Sequence, residues 1–124
     1  MEEIRIPISS HFDIVAARLQ GRAMAEQAGF KGTDLTVVYA VISEMARTIA
    51  ESAAPGEIAI WIPQEEGKVG IVIIARTYLA KKIQELFFAH QLRQYMDEFK
   101  VSYEPGETIL TMKKWVDVWT EKPA

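Results

Sequence analysis

The chain contains no cysteine, which excludes disulfides and thiolate chemistry. Its only two histidines, His11 and His90, stand far apart and leave a transition-metal site few ligands, so no metal is expected. Positive charge is not gathered anywhere. The formal net charge is −3, and Lys and Arg are scattered singly or in pairs without a basic stripe, so nucleic acid is not an expected partner. No apolar run approaches the roughly 20 residues needed to span a bilayer. The opening MEEIRIPI lacks the basic-then-apolar layout of a signal peptide, and a cytoplasmic protein with no membrane contact is expected. Glycine is sparse, at 21, 29, 32, 56, 67, 70 and 106, with none between Gly70 and Gly106.

What is present is enough to fold. A chain of 124 residues with 49% hydrophobic content can bury a core of its own, and one compact domain spanning residues 1–124 is expected. The stretch 33–53 predicts a helix of about five turns, with Thr33 as its N-cap, no Gly or Pro inside, and Pro55-Gly56 just beyond it. Leu35, Val38, Ile42, Met45 and Ile49 form one apolar stripe. Val37 and Val41 begin a second, which continues as Glu44, Thr48 and Glu51. A carboxylate ending an apolar face is either a solvated end or the wall of a site.

Before this helix, Ile4, Ile6 and Ile8 alternate with polar residues, and Pro7 marks a strand near a sheet edge. Ser9 and Ser10 precede a helix over about 11–28, whose Phe12, Val15, Ala16, Leu19 and Ala23 are expected to face inward before Gly29 ends it. Neighbouring Ser10, His11 and Asp13 read as capping residues, because a helix start cannot align a hydroxyl, an imidazole and a carboxylate. After it, 57–63 predicts a strand with Ile58, Ile60 and Ile62 on one face, and 64–67 a hairpin loop. The stretch 68–77 (KVGIVIIART) predicts a central strand covered on both faces. Residues 78–99 predict one bent helix or two, and 101–103 with 108–115 a terminal hairpin. The order implies an α+β fold, a two-layer sandwich of a mixed, mostly antiparallel sheet with about three helices on one face.

The runs FDIVAARLQGRAMAEQAGF, VISEMART, GKVGIVIIA, QYMDEFKV and ETILTMKKW together resemble the RsbT and RsbW family of anti-sigma and switch-protein serine kinases, within the GHKL ATPase superfamily. The resemblance implies a GHKL-type fold and a serine/threonine kinase using ATP and Mg. It places a catalytic carboxylate on Glu44, the motif arginine on Arg47, and the amide that binds magnesium at the position of Thr48. The family's adenine-binding Asp falls on Thr77, and the glycine-rich turns that follow it in the family are absent. That gap spans the interval where close backbone approach to a pyrophosphate is needed, and it is too short for a lid.

Phosphoryl transfer relies on positioned metal and backbone donors, so these losses point to a pseudoenzyme with no expected cofactor. Glu44 then reads as paired with Arg47 or Arg76 rather than as a base, and Thr48 as bonding back to its helix or as a weak metal ligand. Without catalysis, protein binding remains. The resemblance implies a STAS-domain antagonist, a sigma factor or a PP2C phosphatase as partner. Candidate contact residues are Phe87, Phe88 and His90 in one patch and Trp115 with Trp119 in another. Phe88 packed under the sheet edge and Trp119 laid over the first helix are the structural alternatives. A homodimer or a homo-oligomeric structural protein is the third reading.

Overall fold

The computed structural model describes residues 3–52, 55–78 and 93–116. In chain order the elements are β1 (Glu3–Ile8), α1 (His11–Ala28), α2 (Gly32–Glu51), β2 (Gly56–Trp61), β3 (Gln64–Glu65), β4 (Lys68–Thr77), β5 (Glu98–Glu104) and β6 (Glu107–Trp115). The sheet runs β1-β2-β4-β6-β5, with short β3 paired to β4 outside that path. Every described ladder is antiparallel, so the expected mixed sheet is here an antiparallel one. Of the helix expected over 78–99, residues 79–92 lie outside the described residues, and Glu98 and Phe99 belong to β5 instead.

The alternation read from the sequence sets the two faces of the sheet. Ile6, Ile8, Ile58, Ile60, Ile62, Ile71, Ile73, Ala75, Leu110 and Met112 all point to the helix side and are buried. On the other face Ala59 and Val72 are buried and Ile74 is half-buried. β4 is central between β2 and β6, as its continuous apolar run implies. β1 is an edge, and Pro7 on it cannot donate to a further strand. β5 starts earlier than the sequence suggests, because Phe99 pairs in register with Met112 and belongs to the strand rather than to a preceding helix. Residues 99, 101 and 103 are apolar or aromatic and alternate with polar neighbours, a period-2 signal hidden behind a run free of Gly and Pro.

α2 begins at Gly32 with Lys31 as N-cap, not at Thr33. Its large stripe of Val38, Ile42, Met45 and Ile49, together with Val41, is buried against the sheet and α1. α1 has the expected length. Gly29 ends it in the left-handed region at φ 110, donating to Glu26 O while Phe30 donates to Ala25 O and buries its ring.

The face that α1 buries is not the expected one. Ile14, Ala17, Gly21, Met24 and Ala25 face inward, while Phe12 (87% exposed), Val15 (51%) and Leu19 (67%) face solvent. Close approach to α2 selects the small residues. A Cβ on Gly21 would stand 2.5 Å from Ile42 Cδ1, so the helices meet at a distance that the larger stripe does not allow.

Candidate functional site

The second half of α2 carries Glu44, Arg47 and Thr48, and its position is fixed from both sides. Arg18 of α1 donates from Nε to Ser43 Oγ at 3.2 Å, and Met45, Ala46 and Ile49 are buried beneath. Glu44 lies at the boundary with solvent and accepts a hydrogen bond from the Arg47 guanidinium in an ion pair. That hydrogen bond and the charge of Glu44 raise the Arg47 pKa above its ordinary value. Both groups are partly exposed, so the pair adds little to stability. Its effect is to occupy the carboxylate.

Arg76, the second partner considered for Glu44, is turned away from it. Alternation places Arg76 on the sheet face opposite Ile73 and Ala75, where its Nη1 meets Glu107 Oε1 at 3.5 Å. Sequence spacing alone could not find this contact, because Glu107 arrives through the β4–β6 register.

Thr77 closes β4 between Gly56 of β2 and Thr108 of β6. A Cβ on Gly56 would stand 2.6 Å from Ile49 Cγ2, so the end of β4 and the last turns of α2 meet at one end of the helix–sheet seam. Thr48 and Thr77 therefore lie at the same end, both half-buried. Thr77 Oγ1 is buried and has no hydrogen-bond partner among the described residues; a buried hydroxyl left unpaired typically costs about 1–3 kcal/mol.

The chain is 32% identical over 126 residues to the serine/threonine-protein kinase RsbT of Bacillus subtilis (strain 168), an alignment covering 90% of this chain and 95% of that protein. The chain belongs to the RsbT family. No protein-family model matches it.

In this RsbT-family chain the candidates near the start of α1 serve the fold. The Asp13 carboxylate accepts the backbone N–H groups of Ser9 at 2.8 Å and Ser10 at 3.1 Å, and both serine hydroxyls donate to it. The Ser9 backbone bond is the leading cause of a carboxyl pKa below its ordinary value. His11 instead lies 3.8 Å from Glu51 at the end of α2. Among the described residues, no three His, Asp or Glu side chains gather as a metal site would require. No helix among them is long and apolar enough to cross a membrane.

Of the contact candidates, only Trp115 lies in the described residues; Phe87, Phe88, His90 and Trp119 lie outside them. Trp115 sits on the sheet face away from the helices, over Gly70, where an added Cβ would stand 2.8 Å from its ring. Lys113 Nζ is 4.3 Å and Lys68 Nζ 5.8 Å from the ring centre, both within cation–π range. Lys113 also reaches Glu65 at 3.1 Å and Glu98 at 3.5 Å. The reading of the sequence missed the outward stripe of α1, although the signal was there: α1 carries two apolar stripes, and one helix face cannot bury both.

Proposed function

We propose that this chain is a regulatory protein of an anti-sigma or stress-signalling partner-switching system, cytoplasmic and built as a single degenerate GHKL-type domain. It acts by binding a protein partner, namely a STAS-domain antagonist, a sigma factor or a PP2C phosphatase, and has lost nucleotide binding. The observation that supports this reading is one of sequence: in a chain of the RsbT family, other residues occupy the positions that the resemblance assigns to the nucleotide machinery. By resemblance Thr48 falls on the family's magnesium-ligand position and Thr77 on its adenine anchor, and no glycine lies between Gly70 and Gly106. The carboxylate of Glu44 is already paired with Arg47.

These residues do not fit a magnesium nucleotide. A threonine hydroxyl is a weaker, shorter-reaching ligand than an amide oxygen, and at position 77 it offers no charge to the adenine amino group. A carboxylate held by an arginine is also a poor base. No step of phosphoryl transfer follows from this set. The contact surface is proposed at Trp115 and Trp119, with Phe87, Phe88 and His90 as the second patch.

A second reading, a serine/threonine kinase that uses ATP and magnesium, has one observation in its favour. The buried hydroxyl of Thr77, without a partner among the described residues, would be satisfied by a ligand group at that position.

Calorimetric titration separates the two. ATP with magnesium is expected to give no heat of binding, and Thr48→Asn combined with Thr77→Asp is expected not to restore it, because the glycines that would let backbone approach the phosphates are still lacking between Gly70 and Gly106. Tight binding by that double variant, or label transfer by the native chain that Glu44→Ala abolishes, would overturn the proposal and promote the kinase.

A further inference from the structure

The outward face of α1 is apolar at the place where a surface helix is normally most polar. At 100° per residue, Phe12, Leu19 and Ala23 fall within about 40° of one another, flanked by Val15 and Ala16, and lie nearly opposite the buried Ile14, Ala17 and Gly21. The three large side chains present a patch on the order of 400 Å², within the range that marks functional surfaces on monomers. Stable interfaces take about 800 Å² from each partner. The stripe therefore supplies the apolar centre of a modest, concentration-dependent contact, with His11, Gln20, Arg22 and Gln27 around it as a polar rim.

The order of residues along the stripe fits a second copy of itself. Its largest member, Phe12, is at one end, its smallest, Ala23, is about 16 Å away at the other, and Val15 and Leu19 lie between. An antiparallel copy reverses that order. Phe12 then packs on Ala23 of the second copy, and Val15 on its Leu19, so each layer joins a larger side chain to a smaller one.

Charge agrees with this direction. The last turn of α1 has no basic residue and carries Glu26, which lies 3.8 Å from Arg22. In the antiparallel pair Glu26 approaches His11 and the N-terminal end of the other helix, whose positive end Asp13 partly offsets, and Arg22 comes over Phe12. A parallel pair would instead stack Phe12 on Phe12 and Glu26 on Glu26. The stripe has no net charge with which to attract a strongly acidic or basic partner.

We propose that α1 is a self-association face, on which two copies pair antiparallel about a two-fold axis near position 17. This surface does not include Trp115, which lies on the sheet face away from the helices, and it stands whether or not nucleotide binds.

Light scattering on the full chain across a concentration series tests it. The mass is expected to rise from 14.0 kDa towards twice that value. Phe12→Asp with Leu19→Asp is expected to stay at the single-chain mass, with a circular-dichroism melt that matches the native chain's at low protein concentration, because both positions are exposed in the single chain. The chain has no cysteine, so Phe12→Cys with Ala23→Cys should yield covalent dimers with a short bismaleimide, whereas either single variant should not. A native chain that stays at the single-chain mass at all concentrations would overturn the proposal, leaving the stripe to a foreign helix or to residues 117–124. A double aspartate variant that dimerises like the native chain, or equal cross-linking by the single cysteine variants, would also overturn it.

Discussion

The two helices share one layer and one neighbour, yet they are held in place by different means. α2 is held by its face. Val38, Val41, Ile42, Met45 and Ile49 are all buried, while its N-cap is Lys31, with no side-chain cap hydrogen bond. α1 buries mainly small or flexible side chains and leaves its bulkiest apolar ones in water. It is instead fastened at its ends, by the Asp13 carboxylate at the N-terminus and the Gly29 turn at the C-terminus. The difference teaches that a helix can be positioned by close approach and capping, which frees its large residues for another surface.

The sharpest way to break that comparison is to truncate one large apolar residue from each helix. Ile42→Ala removes a fully buried side chain between α1 and the sheet and is expected to cost about 2–5 kcal/mol. Leu19→Ala, on the outward face, is expected to change the stability of the single chain by no more than about 0.5 kcal/mol. Urea denaturation at low protein concentration, where self-association does not contribute, measures both. Equal losses would mean that α1 buries the stripe which the structure leaves exposed.

That pair of residues also marks where the sequence was legible and where it was not. Alternating isoleucines in β1, β2 and β4 announce their faces, and the large stripe of α2 announces its burial, because in each case only one face is apolar. In α1 both faces are apolar and share the same 3.6-residue period. Periodicity then identifies the helix but not the side it buries, and the deciding quantity is residue volume at the α1–α2 contact. At the candidate site, the Glu44–Arg47 pair follows from their spacing along one helix. The Arg76–Glu107 contact does not, since it depends on strand register.

A smaller effect is expected from filling the place where the two helices touch. Gly21→Leu would drive a side chain into Ile42, whose Cδ1 lies only 2.5 Å from where a Cβ at position 21 would stand, and overpacking of this kind costs about 1–3 kcal/mol. Ile42→Ala in the same chain should recover part of that loss, because the cavity and the added volume are adjacent. Denaturation of the two single variants and the double variant gives the coupling directly. Simple additivity would show that α1 does not owe its inverted face to close approach at this point.

The smallest effect concerns the end of α1 rather than its face. Asp13 has a carboxyl pKa below its ordinary value, chiefly because the Ser9 backbone N–H donates to the charged form, so the folded chain binds fewer protons at this group than the unfolded chain does. Its contribution to stability is therefore complete above the ordinary carboxylate range of about pH 4 and is lost as pH falls through the lowered value. Asp13→Asn should lower the melting temperature slightly at neutral pH and flatten the acid side of the stability profile relative to the native chain. The matching change in α2, Asp34→Asn, removes a first-turn acid that lies 3.8 Å from Lys114 but carries no cap, and it should leave the slope attributed to Asp13 in place. Thermal melts from neutral to acid pH decide between the two helices. If Asp34→Asn flattened the profile and Asp13→Asn did not, α1 would not be fastened at its ends.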